Sequence, residues 1–159
     1  MNQTKPQILL TNDDGIESPG LWAAAEALSG IGYVWVAAPR DQASSTGRSL
    51  PLSSDGRISI QQMTVHGQEW TVHAVGGTPA QTVQHGILEI IGQKPDLVVS
   101  GINYGFNLGT AVTISGTVGA AMEAAAFGVP SLAVSLETDQ KQIYTHSRDV
   151  DFSQAAHFT

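Results

Sequence analysis

Apolar runs and helical stripes alternate along the chain with little ambiguity. Ile8-Leu9-Leu10 is three aliphatic residues in a row, the pattern of a short strand buried on both faces at the centre of a parallel sheet. Ser18-Pro19 then predicts a helix start, a capping residue followed by proline at the first helical position. Leu21, Ala24, Ala25 and Leu28 form its apolar face, and Gly30 with Gly32 closes it. Tyr33 to Ala38 is a second buried strand, so the first forty residues make a βαβ unit with parallel strands. Arg57–Ile60 and Trp70–Val75 predict an antiparallel excursion that turns near Gly67. Thr78-Pro79 repeats the helix-start signal, and Val83, Ile87, Ile90 and Ile91 continue one face to Gly92. Leu97–Ser100 is a third parallel strand, followed by a glycine-punctuated loop from Gly101 to Gly109. Ser115-Gly116-Thr117 caps an alanine-rich helix reaching about Phe127, where Gly128 and Pro130 end it before a strand over Ser131–Ser135.

The pattern predicts an α/β protein with a mainly parallel central sheet, and a core over residues 1–136. Beyond Leu136 the periodicity fades, and Phe152 to Thr159 reads as a helix only beginning. Residues 137–159 are therefore expected to be the start of a C-terminal part, incomplete or disordered, so that the domain is truncated at its C-terminal end.

Composition narrows the chemistry. The 159 residues carry a formal charge of −7, and no basic stripe exists to neutralise a nucleic-acid polymer. No apolar run reaches the ~20 residues of a membrane span. Cysteine is absent, which removes disulfides and thiolate metal sites and agrees with a cytoplasmic location. The five histidines show no zinc spacing and are expected to be structural or exposed, as Glu123 is expected to lie on a solvated helix face. Trp22, Trp35 and Trp70 belong to apolar segments and are expected in the core.

Candidate chemistry gathers where strands end. Asn12-Asp13-Asp14-Gly15 follows the first strand, and ligands of open α/β sheets bind just beyond the carboxyl ends of strands. Two adjacent carboxylates repel each other unless a cation lies beside them, although Asn-Asp-Asp-Gly also suits a plain turn. Ser44 and Asn103 lie on loops leaving two neighbouring strands, and together the four residues offer an all-oxygen shell for one hard divalent ion such as Mg²⁺ or Mn²⁺. Ser115-Gly116-Thr117 opens a helix, whose free amides and dipole favour an anion. The stretch from Gly101 to Thr117 has no Lys or Arg, and neither a Walker A motif nor a Gly-x-Gly-x-x-Gly after the first strand is present.

Several ordered motifs together resemble the SurE (survival protein E) family. They are Asn12-Asp13-Asp14-Gly15-Ile16 with Pro19-Gly20, Ala38-Pro39 with Ser44, Gly77-Thr78-Pro79, Val99-Ser100-Gly101-Ile102-Asn103 with Gly105, Asn107 and Gly109, and Ser115-Gly116-Thr117-Val118 with Met122-Glu123. The resemblance implies a Rossmann-like three-layer fold, a divalent-metal-dependent phosphomonoesterase, a 5′-nucleotidase acting on nucleoside 5′- or 3′-monophosphates, and a homodimer or homotetramer when full length. It implies metal ligands at Asp13, Asp14, Ser44 and Asn103, with Asp13 and Asp14 catalytic. It also implies substrate and phosphate contacts at Asn12, Asn107, Ser115, Gly116 and Thr117. The chain departs from the family pattern in three places. Arg40-Asp41 replaces Asp-Arg, Ser45 replaces a glycine, and Ile114 replaces a tyrosine before Ser-Gly-Thr. Two alternatives use the same residues differently: a phospho-signalling receiver-like binding module, and a catalytically inactive truncated α/β domain.

Overall fold

The computed structural model describes residues 5–143 and 147–159; of the histidines, His146 lies outside them. Six strands form one sheet in the order β3-β4-β2-β1-β5-β6. They are β1 (Gln7–Thr11), β2 (Tyr33–Pro39), β3 (Ile58–Val65), β4 (Gln68–Val75), β5 (Leu97–Tyr104) and β6 (Ser131–Leu136). All neighbours run parallel except β3, which pairs antiparallel with β4 at one edge. Helix α1 (Pro19–Ser29) covers one face, and α2 (Pro79–His85) and α3 (Gly116–Ala126) cover the other, giving three layers. Among the described residues no helix is long and apolar enough to cross a membrane.

The β3–β4 hairpin is longer than the expected excursion, and it belongs to the main sheet. Its two-residue turn, His66-Gly67, has positive φ at both positions (48° and 82°), which matches the twist of the flanking strands. β4 then pairs in parallel with β2 from Val36–Val72 to Pro39–Val75. The helix expected to run to Gly92 changes pitch midway. α2 ends at His85 and the chain widens into one π turn, Gly86–Ile90. A Cβ on Gly86 would fall 2.6 Å from Leu9 Cδ2, so the glycine lets this turn press onto the central strand.

β5 also runs further than its apolar residues indicate, through Gly101 to Tyr104. Its register against β6 shifts between Ser100 and Asn103. Gly101 sits at this irregularity with φ 139°, where a Cβ would lie 2.3 Å from the Val134 carbonyl oxygen. The two Thr/Ser-Pro starts behave differently. Thr78 makes a full capping box with Gln81, each side chain accepting from the other residue's backbone N–H at 3.2 and 3.0 Å. Ser18 makes no cap, and its hydroxyl is buried without a partner among the described residues.

After β6 the chain forms two short helices, α4 (Gln140–Ile143) and α5 (Ser153–His157). Phe152 is buried, with its ring 4.9 Å from Tyr104 in an edge-to-face contact. Trp22 and Trp70 lie in the core as expected, while Trp35 is half-buried and donates to Gln7 Oε1 at 2.7 Å.

Candidate active site

β1 lies between β2 and β5, so the chain first builds the sheet outward through β2 and β4 and then crosses back to the other side of β1. That reversal opens a crevice at the carboxyl end of β1, where Asp13 and Asp14 stand. Both are almost fully buried, at 5% and 3% exposure.

The two carboxylates have different surroundings. Asp13 Oδ1 accepts from the Thr117 hydroxyl at 2.7 Å, and the amides of Gly116 and Thr117 also face this carboxylate. The first turn of α3 is therefore directed at Asp13, whose negative charge suits the positive end of the helix. Gly116 is required for that approach, since a Cβ there would lie 2.8 Å from Asp13 Cβ. Burial still pushes the Asp13 carboxyl above its ordinary range, opposed by these hydrogen bonds. Asp14 is held less well. Its Oδ2 accepts from the Tyr104 amide at 3.3 Å, and the Gln42 side chain also helps. Burial first, and the neighbouring Asp13 charge second, push Asp14 up to about 7.

Ser44 and Asn103 are brought to the same edge by their neighbours. The Ala43 amide donates to the Asp13 carbonyl at 2.8 Å, which places Ser44 next in the chain. Asn103 immediately precedes Tyr104, the residue that donates to Asp14. The Asn103 side-chain amide donates to the Gly105 carbonyl at 2.9 Å, which orients its carbonyl oxygen for another partner. The Ser44 hydroxyl is exposed and makes no hydrogen bond among the described residues. Ser45, standing where a glycine is usual, has φ 62°, the left-handed conformation that glycine adopts without strain.

The expected phosphate contacts divide. Ser115, Gly116 and Thr117 do open α3, but the Ser115 hydroxyl caps the helix by accepting from Val118 N, and Thr117 is turned to Asp13. Asn12 is fully buried, and its side chain both donates to and accepts from Gly15, closing the turn. Asn107 donates to the Ser135 hydroxyl at 2.7 Å, bridging the glycine-rich loop to β6. An open cleft of about 380 Å³ adjoins Asp14, lined by Gly15, Arg40, Asp41, Gln42 and Gln61 among others. A larger groove of about 1100 Å³ lies between α1, the β3–β4 turn and α5, and contains none of these site residues.

A divalent ion fits this donor set. Two buried carboxylates adjoin each other, and no Lys, Arg or His among the described residues forms an ion pair with either. The Ser44 hydroxyl and the Asn103 amide oxygen, on segments whose neighbouring residues bond to Asp13 and Asp14, are further oxygen donors of the kind that a hard divalent ion takes. No group of three or more His, Cys, Asp or Glu suited to a metal exists among the described residues, so an ion here would also need hydroxyl, amide or water oxygens.

Glu123 differs from expectation. It is 3% exposed rather than solvated, and pairs with Arg48 at 2.6 Å. The helix carrying it is small-residued around most of its circumference, which lets α2 and the sheet enclose it; that composition was the available signal. The Tyr104 amide and Gln42, which support Asp14, left no comparable mark in the sequence.

The family described as Survival protein SurE matches residues 8–159. The 5′-nucleotidase SurE of Methanothermobacter thermautotrophicus is 47% identical over 156 residues, covering 96% of this chain and 58% of that protein. The 5′-nucleotidase SurE of Archaeoglobus fulgidus is 49% identical over 151 residues, covering 94% and 56%. The crystal structure of the SurE protein from Aquifex aeolicus superposes with a TM-score of 0.77 at 38% identity, covering 96% of this chain and 56% of that one. The chain thus spans little more than half the length of the curated relatives it matches. With nearly every residue inside the family match and a six-stranded α/β sheet to go with it, the chain belongs to the SurE family.

Proposed function

We propose that this chain carries the active centre of a phosphomonoesterase that uses one divalent ion, Mg²⁺ or Mn²⁺, to hydrolyse nucleoside 5′- and 3′-monophosphates to nucleoside and phosphate. The observation that carries the proposal is the buried Asp13–Asp14 pair at the reversal point of the sheet, with α3 aimed at one of its members. Relatives that cover nearly the whole chain bear the name 5′-nucleotidase, in support of the substrate class. Asp13, Asp14, Ser44 and Asn103 would hold the ion, which when bound supplies Lewis acidity toward a phosphoryl oxygen and a lowered pKa for water.

The chain's own residues perform the remaining work. Thr117 and the first amides of α3 fix the direction of Asp13, and the Tyr104 amide does the same for Asp14. Engaged in this way, the carboxylates are poorer nucleophiles than free ones, so in-line attack by water is favoured over an aspartyl-phosphate. Asn107, on the glycine-rich loop and bonded to Ser135, would use its second amide N–H to donate to non-bridging oxygens as charge spreads over them. The same reading carries a homodimeric or homotetrameric full-length protein, which light scattering on that protein checks.

The test is turnover of nucleoside monophosphates and a chromogenic phosphomonoester with Mn²⁺ or with chelator. Activity that appears with Mn²⁺, disappears with chelator and falls by more than roughly 100-fold in Asp14→Asn supports the assignment. Chelator-resistant turnover would move the chemistry elsewhere, and no turnover despite Mn²⁺ binding would make this an inactive domain.

A further inference from the structure

The loop that carries Ser44 forms no regular element between Pro39 and β3. Around Ser44, from Ala43 to Ser49, four polar contacts among the described residues fasten it to the rest of the molecule. The Ala43 amide donates to the Asp13 carbonyl at 2.8 Å and the Gly47 amide to the Ile114 carbonyl at 2.9 Å. The Thr78 hydroxyl donates to the Ser49 carbonyl at 2.7 Å. The fourth contact is of another kind: Arg48 Nε donates to Glu123 Oε2 at 2.6 Å, and Gln84 Nε2 occupies Oε1 at 2.9 Å. Here a half-exposed guanidinium meets a buried carboxylate.

Glu123 belongs to the same helix that orients Asp13. Gly116, Gly119 and Glu123 are spaced i, i+3 and i+7 along α3 and so share one face. Gly116 presses on Asp13. Gly119 meets the loop, since a Cβ there would lie 2.1 Å from the Gly47 carbonyl oxygen. Glu123 closes the row by gripping Arg48. One rigid element therefore holds a carboxylate of the site at its first turn and the Ser44 loop along the rest of its length.

We propose that the Arg48–Glu123 pair, with Gln84 behind it, is a positioning device for the metal centre. It fixes the Ser44 loop on α3 and so sets the Ser44 hydroxyl relative to Asp13 and Asp14. The proposal rests on the metal-site reading above. An apolar contact would fill the same space without specifying direction, whereas a guanidinium bonded to a buried carboxylate accepts few geometries. Neither residue touches the ion; both act through the loop.

The experiment is Mn²⁺ calorimetry on the chain, alongside thermal melting in chelator. Arg48→Met alone strands a buried charge and risks the fold, so the informative variant is Arg48→Met with Glu123→Gln. It removes both charges while Gln84 keeps a hydrogen-bond partner. Its affinity for Mn²⁺ is expected to drop roughly 10- to 100-fold, the usual effect of removing a group that supports a ligand. Adding Ser44→Ala to that variant is expected to cost less than Ser44→Ala alone, because the two changes remove one interaction. Arg48→Lys retains the charge and is expected to recover part of the loss. Leu28→Val, on the far face, is expected to lower the melting temperature and leave Mn²⁺ affinity alone. Wild-type affinity in the double variant, or full additivity with Ser44→Ala, overturns the positioning role while the metal site stands. If wild type binds no Mn²⁺, or Asp14→Asn binds it equally, the metal-site reading fails and the positioning role with it.

Discussion

The two faces of the sheet are packed by different means. On the α1 face the core is made of large side chains: Leu21, Trp22, Leu28, Val36, Ile102, Tyr104 and Phe152. Trp22 and Trp70 meet edge-to-face at 5.8 Å, and the Trp22 indole N–H reaches the Ile16 carbonyl at 3.0 Å. On the α2/α3 face the helix contributes Ala120 and Ala124 against Leu9, Val98 and Val129, with glycines where it nears the site. Buried polar side chains also gather on or along α3, in Thr117, Glu123 and Ser115. Large apolar surface supplies cohesion that tolerates small shifts. Small residues bring backbones together, and that closeness lets the start of a helix reach a carboxylate. The first face provides stability, and the second sets the geometry of the site.

That division is open to breaking, and the largest expected effect is on the first face. Trp22→Ala should cost ~3–5 kcal/mol by chemical denaturation, through lost burial and the cavity left behind. If the division is right, the folded fraction keeps its Mn²⁺ affinity. A parallel loss of affinity would show that the α1 face also shapes the site.

The next effect is electrostatic. With Asp14 at about 7, this carboxyl holds its proton between pH ~4 and 7 in the metal-free folded protein and loses it in the unfolded chain. Asp14's contribution to stability is therefore expected to fall as pH rises through that window, by roughly 2–4 kcal/mol, and to level off above it. Denaturant titrations in chelator on wild type and Asp14→Asn measure it as the difference between the two curves. A difference that rises over this range would contradict the site's electrostatics.

Gly116→Ala sharpens the comparison from the second face. One methyl group placed 2.8 Å from Asp13 Cβ must push α3 or the aspartate aside. Mn²⁺ binding should weaken roughly 10- to 100-fold, the scale found when a supporting group is displaced. Melting temperature should change less than in Trp22→Ala, and unchanged Mn²⁺ affinity would refute the close-approach argument.

The smallest effect concerns Thr11, which pairs in register with Ser100. The hydroxyls of both are buried without a partner among the described residues. Thr11→Val removes one such group at nearly constant shape, so stability should stay within ~1 kcal/mol of wild type or rise. A larger loss would mean that this hydroxyl is hydrogen-bonded in solution, for instance to an internal water.

Much of this architecture was legible in the residues. Ile8-Leu9-Leu10 as a central strand, Ser115 as a helix cap and the paired carboxylates beyond β1 follow from local patterns, because burial, capping and turn chemistry act within a few residues. The misjudged elements share a cause. β5 continues through Gly101 because a neighbouring strand accepts its bulge, and Glu123 is buried because Arg48 and Gln84 arrive from distant segments. Neither partner is near in the chain, so no periodicity reports them.

The sequence by itself determined which segments are strands and helices, that the strands run mainly parallel, and that carboxylate, hydroxyl and amide oxygens lie at strand ends. These follow from short-range sterics and the period of the apolar residues. Only the tertiary structure decided how those oxygens are held. The first amides of α3, open to an anion on sequence grounds, are directed at Asp13. Asn12, equally polar, turns inward to close its own loop. Adjacent aspartates acquire different surroundings because one meets a helix start and the other a single strand amide. Which partner a polar group meets depends on the distance between segments brought together by burying apolar surface, and that distance is a property of the packed molecule as a whole.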